Sequence, residues 1–359
     1  MRIALFGSGG FIGSNLVEHL LEATGHQVVG LDADDEKTRD IDTRGRFECH
    51  VGDIRQAAPL VEELVETSDV VIDLIAHANP SMYVSQPLEV VDLNLFQNLT
   101  LVDLCVKHSK RIIQFSTCEV YGPSEGRREP YSEDGANLVR GPIRNQRWIY
   151  ASAKELLERI IYAHGQQGDL DFTIVRPFNF VGPKIDYLVE AGSIGGPRVF
   201  SHFMSALVGK GPLRLVDGGA AHRSYTHIAD ATRAVQLVLE NPDECRSEIM
   251  NIGNPNNGTT IRELASLMLE LYEELTGSPA ESSIVEISGD QFYGAGYEDC
   301  DWRIPDVRKM ERLGWRPQLD LRETFKRTMQ WHLDRLNGAT ELPSYLRRND
   351  APQVSRRSR

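Results

Sequence analysis

Met1-Arg-Ile-Ala-Leu-Phe6-Gly7-Ser-Gly9-Gly10-Phe11-Ile12-Gly13 opens the chain and decides its fold class. The apolar run 2–6 reads as a strand, and residues 14–23 carry Leu16, Val17, Leu20 and Leu21 at helical spacing. A glycine turn between strand and helix presents backbone N–H groups at a helix N-terminus, which suits a pyrophosphate. Gly7, Gly10 and Gly13 let the backbone turn tightly and approach such a ligand, with Phe11 and Ile12 inside the same turn. The next strand, 27–31, ends at Asp32, about 20 residues beyond the turn, where a carboxylate suits a ribose 2′-hydroxyl. A carboxylate there repels a 2′-phosphate. The motif therefore points to NAD rather than NADP.

Further strands at 47–51, 70–75, 111–116 and 172–176 alternate with helices at 58–66, 94–107 and from 150 onward. That alternation implies an α/β protein with a doubly wound parallel Rossmann sheet. Asp53 and Ile54 follow the third strand, where an adenine would lie. Ala76 stands in the loop after the fourth strand, at the strand end where such sheets bind ligands. From Pro177 onward glycine- and proline-rich loops mark a smaller C-terminal α/β substrate lobe. The expected division is a nucleotide-binding domain at 1–178 with a return segment at about 223–245, and a lobe at 179–222 and 246–340. Residues 341–359 form an arginine-bearing tail expected to be disordered.

Across its 359 residues, 41% hydrophobic and 25% charged content are ordinary for a globular protein. A net charge of −13 argues against nucleic-acid binding, because no basic field is available for a phosphate backbone. The five cysteines are scattered without a Cys-x-x-Cys pair, so no metal site and no disulfide framework is expected. With no signal peptide and no apolar run of about 18 residues, the expectation is a cytoplasmic enzyme away from membranes.

Tyr150 and Lys154 stand at i and i+4 in Arg147-Trp-Ile-Tyr150-Ala-Ser-Ala-Lys154, on one face of the expected helix. A lysine ammonium one turn away favours the phenolate and would move the tyrosine toward the range of a general base. The apolar residues of helices 94–107 and 150–163 serve either the chain's own core or a homodimer seam.

These residues, together with Asp53, Thr117, Arg176-Pro-Phe-Asn179 and Arg223, resemble the extended short-chain dehydrogenases/reductases that act on nucleotide sugars. The resemblance spans residues 1–336. Within that family the chain is similar to bacterial UDP-glucuronic acid C4-oxidative decarboxylases and to plant UDP-apiose/UDP-xylose synthases. Phe115-Ser-Thr-Cys-Glu-Val-Tyr-Gly122 and Tyr293-Gly-Ala-Gly-Tyr297-Glu-Asp299 with Arg303 carry that closer likeness. It implies that Tyr150, Lys154 and Thr117 handle the C4 hydroxyl, while Glu119 and Arg303 serve decarboxylation. It further implies that Tyr83, Arg147 and Tyr297 meet the sugar, and that Asn179, Arg214 and Arg223 bind the nucleotide diphosphate.

Cys118 occupies the place where related 4,6-dehydratases hold an aspartate, which disfavours a dehydratase. The apiose/xylose synthases also have cysteine there, but their second cysteine corresponds to Ala78 here. Cys118 is thus either a working thiol or a small buried filler. The expected activity is NAD-dependent oxidation at C4 and decarboxylation of UDP-glucuronic acid to a UDP-4-keto-pentose, with xylose or apiose as further products. The alternatives are a UDP-glucuronic acid 4-epimerase and, more remotely, a non-catalytic dinucleotide sensor.

Overall fold

Seven parallel strands form the central sheet: β1 (Arg2–Phe6), β2 (Gln27–Asp32), β3 (Phe47–Val51), β4 (Val70–Asp73), β5 (Arg111–Phe115), β6 (Phe172–Pro177) and β7 (Glu248–Ile252). A computed structural model describes residues 1–138, 140–189, 198–294 and 298–338. The strand order is β7-β6-β5-β4-β1-β2-β3. Chain direction through the sheet reverses between β1 and β4, which opens a crevice above their carboxyl ends. Because helices cover both faces, Ile3–Phe6 of β1 and Val70–Ile72 of β4 read as continuous apolar runs rather than alternating ones.

The longer helices are α1 (Phe11–Ala23), α2 (Ala58–Thr67), α3 (Asn98–Lys107), α4 (Ile149–Gln167), α5 (Val199–Val208), α6 (Ile228–Glu240), α7 (Ile261–Thr276) and α8 (Leu321–Gly338). On one face of the sheet, Leu16, Val17 and Leu20 of α1 share a core with Ala231, Val235 and Val238 of α6. On the other, Val61 and Leu64 of α2, Leu101 and Val102 of α3, and Leu157 and Ile161 of α4 pack together. The helix spacing seen in the sequence is therefore the spacing of these buried stripes.

Among the described residues three short sheets lie outside the central one, and in the first Phe180–Val181 pairs with Thr226–His227. Leu213–Val216 pairs with Ile284–Ile287, and His222–Ser224 lies between Gly258–Thr260 and Trp302–Arg303. The central sheet takes its seventh strand, Glu248–Ile252, from beyond the expected return segment, because β7 continues the ladder alongside β6.

The helix expected over 94–107 begins differently. Residues Asp92–Gln97 form a π-helical turn, and α3 starts only at Asn98. The wider turn brings two fully buried asparagines to the loop after β4. Asn94 donates to the His77 carbonyl at 3.3 Å and Asn98 to the Ile75 carbonyl at 3.2 Å. A loop that walls the crevice is thereby fixed through its own backbone.

Helix α4 is fixed to β6 by a buried ion pair. Arg176 donates to both oxygens of Glu158, at 3.0 and 2.5 Å, and lies over the Tyr121 ring at 4.9 Å. Among the described residues no helix is long and apolar enough to cross a membrane, and no cluster of potential ligands is arranged to hold a metal. The five cysteines are unpaired thiols.

Arg176→Met leaves the Glu158 carboxylate buried without its partner and should destabilise the protein by about 3 kcal/mol. Adding Glu158→Leu should recover part of that loss in a urea titration, since it removes the stranded charge.

Candidate active site

The cleft above β1, β4 and β5 encloses about 460 Å³. Its floor is the glycine turn. Gly7 has φ of +88°, a conformation that a side chain disfavours, and a Cβ on Gly13 would lie 2.1 Å from the Gly7 carbonyl oxygen. Both positions therefore require glycine, and the closed turn places Gly10, Phe11 and Ile12 at the start of α1, facing the cleft. Asp32 closes the turn from β2, its Oδ2 accepting the Gly9 N–H at 2.8 Å. Burial pushes the Asp32 carboxyl up, against hydrogen bonds from the Asp34 and Gly9 backbone.

Asp32, Asp53 and Ile54 stand outside the cleft wall, whereas Ala76 is part of it. Asp53 instead accepts from the Arg55 backbone at 2.9 Å, and Ile54 is buried in the core beneath β2. The residues around the turn fit a dinucleotide: a tight glycine cradle, a helix N-terminus and an acid closing the next strand.

Strand β5 ends at Phe115 and feeds Thr117 into the cleft. The Thr117 hydroxyl caps the following turn by accepting from the Glu119 N–H at 3.1 Å, and it hydrogen-bonds the Tyr150 phenol. Tyr150 projects from the first turn of α4, and the Tyr83 ring stacks flat on it, with centroids 4.7 Å apart and 6° between planes. One turn on, Lys154 is 1% exposed and donates to the Phe115 carbonyl at 3.0 Å.

The expectation that the protein's own groups lower the Tyr150 phenol is not met. Burial pushes it up, and the Glu119 carboxylate adds to that, with the Thr117 hydrogen bond opposing. Burial also pulls the Lys154 ammonium down, against the Asp73 carboxylate. The lysine charge is directed at Phe115 and Asp73, which explains why its spacing from Tyr150 alone is an insufficient guide.

Glu119 is the electrostatic centre of this end of the cleft. Burial alone would raise its carboxyl, but Arg147 and Arg303 hold it down at about 2. Arg147 Nη1 donates to one oxygen and Arg303 Nη1 to the other at 3.2 Å. The group of three therefore carries one net positive charge in a buried site. Arg303 is 3% exposed, and its Nε and Nη2 make no hydrogen bond to the protein. Two buried guanidinium N–H groups in a cleft wall call for an anion. Burial pushes the adjacent Cys118 thiol up, so it is a neutral thiol at ordinary pH despite the Arg303 charge.

Asn179 and Arg214 line the far end of the cleft with Arg223, which is paired to Asp299 at 2.5 Å. Tyr297 lies outside the described residues. Sequence reasoning missed Lys37, Asp186 and Arg198, which also face the cleft. Arg198 grips Asp186 at 2.6 Å and lies 5.4 Å from the centroid of Phe11. These residues sit in loops without periodicity or a motif.

Residues 3–253 match the family described as NAD dependent epimerase/dehydratase. UDP-D-apiose/UDP-D-xylose synthase 2 of Arabidopsis thaliana is 40% identical, over 96% of this chain and 95% of that protein. The UDP-D-apiose/UDP-D-xylose synthase of Oryza sativa subsp. japonica is also 40% identical, over 92% of this chain and 89% of that protein. Among solved structures, the PbgP3 protein from Burkholderia pseudomallei superposes with a TM-score of 0.83 at 34% identity, covering 94% of this chain and 97% of that one.

With its carboxyl titrating near 2, Glu119 should contribute no acid limb to a pH–rate profile above about pH 4. Arg147→Met removes the stronger of its two cationic partners, so the Glu119 carboxyl should rise and a new acid limb should enter the profile. Carboxyl-carbon NMR of the labelled variant would read the same rise directly.

Proposed function

The chain belongs to the NAD dependent epimerase/dehydratase family, and from that membership and the geometry of the cleft we propose that it oxidises UDP-glucuronic acid at C4 and decarboxylates it to a UDP-4-keto-pentose. The observation that carries the sugar acid is Arg303, a residue of the cleft wall whose buried Nε and Nη2 have no hydrogen-bond acceptor in the protein. A substrate carboxylate satisfies both. The net positive charge on Glu119, Arg147 and Arg303 supports the same reading, because a neutral sugar would leave it uncompensated.

NAD, held by the glycine turn and Asp32, supplies the acceptor for the electron pair leaving C4. Tyr150 takes the C4 hydroxyl proton, and Thr117 steadies that oxygen through the hydroxyl shared with the phenol. Lys154 provides the positive charge that stabilises the phenolate as the proton moves. Oxidation makes the substrate a β-keto acid, whose carboxylate leaves as carbon dioxide while the ketone takes up the electrons as an enolate, and a proton delivered from solvent to C5 then gives the 4-keto-pentose.

Arg303 orients the departing carboxylate, and Glu119, kept ionised by its two arginines, excludes a second anion from the wrong side of the ring. Tyr83, flat against Tyr150, packs the sugar face, and Arg223, Arg214 and Asn179 serve the diphosphate. Ala78 lines the cleft at the place where the ring-contracting relatives carry a second cysteine, which favours ketopentose or xylose over apiose.

Exposed Phe96, Leu156 and Tyr162 on the 94–107 and 150–163 helices support a homodimer through that face. Sedimentation should then give a mass twice that of one chain.

Proton NMR of the purified protein with UDP-glucuronic acid and NAD tests the reading. Pentose signals are expected, with NADH accumulating if the ketopentose is released. A six-carbon galacturonate product would make it an epimerase. Tyr150→Phe should lower turnover by about 1,000-fold with NAD affinity unchanged. Arg303→Ala should lose carbon dioxide release well before nucleotide affinity.

A further inference from the structure

Asp73 ends β4 and is fully buried, a place where an uncompensated carboxylate is strongly unfavourable. Its Oδ1 accepts from the Ile75 N–H at 2.9 Å and its Oδ2 from Gln114 Nε2 at 2.8 Å. Strands β4 and β5 are in register with Asp73 opposite Gln114. The same Gln114 nitrogen lies 3.4 Å from the Phe115 carbonyl, and that carbonyl accepts from Lys154 Nζ at 3.0 Å. A continuous set of polar contacts thus leads from the Lys154 ammonium, through one carbonyl and one amide, to the Asp73 carboxylate. Neither Asp73 nor Gln114 lines the cleft.

The surrounding charges single Asp73 out. Lys154 faces two anions, Asp73 on β4 and Glu158 one turn along α4. Both oxygens of Glu158 are committed to Arg176. Tyr150, one turn back, is held as the neutral phenol by its burial and must lose its own proton before it can act as a base. On α3, Cys105 faces Asp73, but burial keeps it a neutral thiol. Burial pushes the Asp73 carboxyl up, and Lys154 with the hydrogen bonds from Gln114 and Ile75 opposes that, so Asp73 is the carboxylate left to balance the buried ammonium before the phenol ionises.

We propose that Asp73 is a positioning residue for proton transfer, holding Lys154 cationic and in place through Gln114 and the Phe115 carbonyl. Asp73 touches neither cofactor nor substrate and acts through Lys154. The proposal rests on the roles given above to Tyr150 and Lys154. It explains why a polar pair sits at the carboxyl ends of two otherwise apolar central strands.

The test is a pH titration of NAD-saturated enzyme, following the phenolate absorbance lost in Tyr150→Phe, for wild type and Asp73→Asn. Removing the Asp73 charge has two opposite effects on Tyr150. Loss of an anion alone lowers the phenol, whereas loss of the Lys154 proton raises it. The expected result is an upward shift of about one pH unit. It should come with an approximately tenfold lower kcat at neutral pH and an unchanged KM for the nucleotide sugar.

A downward shift would mean that Lys154 keeps its proton without Asp73, and would overturn the proposal. So would wild-type titration and kcat. Gln114→Leu provides a second variant that cuts the bridge without removing the charge. Its kcat should fall at constant KM, and an unchanged kcat would sink the role given to the bridge. The phenolate titration needs no sugar, so failure to turn over UDP-glucuronic acid would count against the proposed reaction and leave this test intact.

Discussion

Arg303 reaching Glu119 is the contact on which the arrangement of the site depends. Glu119 follows β5 of the central sheet, and Arg303 ends a short strand outside that sheet. Their ion pair ties the two together in the wall of the cleft. It is held in turn by Arg147, which comes from the turn leading into α4. One buried carboxylate therefore aligns three separate pieces of chain: the end of the central strand, the approach to α4, and the short strand Trp302–Arg303. Burying so many charges is tolerable only because each finds a counter-charge or is left open to a ligand.

The same economy runs behind the site. Arg176 with Glu158 anchors α4 to β6, and Asn94 and Asn98 hold the loop after β4 by its carbonyls. Tyr150 and Lys154 are thus carried on a helix that cannot easily rotate or slide. Precision at the phenol is supplied by groups several ångströms from any substrate, through packing and hydrogen bonds rather than through the reactive side chains themselves.

How much of this was legible in the chain follows from the range of the forces involved. The glycine turn, Asp32 and the strand–helix alternation are local patterns, so fold and cofactor could be read directly. The Tyr150–Lys154 spacing was equally local. Glu119 and Arg303 are brought together only by the fold; likeness to relatives assigned both to decarboxylation, and their ion pair is seen only in the structure. Arg198, Asp186 and Lys37 escaped because they lie on irregular loops. Asp73 escaped for a different reason: within an apolar strand it looked like the polar end of a core segment, and only the register with Gln114 exposes its link to Lys154. The π turn at Asp92–Gln97 was also beyond periodicity, since a single wide turn is too short to set a period of its own.

Arg223 meets Asp299 at 2.5 Å in the wall of the cleft. On the role proposed for Arg223, an entering phosphate has to win a guanidinium from a carboxylate already in position. A lone inorganic phosphate would gain little from that exchange. A diphosphate tethered to a nucleoside and a sugar would gain several other contacts at once, and those would offset the lost pair. The resident carboxylate would then work as a threshold: it would set a minimum number of simultaneous interactions that a visitor must offer and turn away small anions.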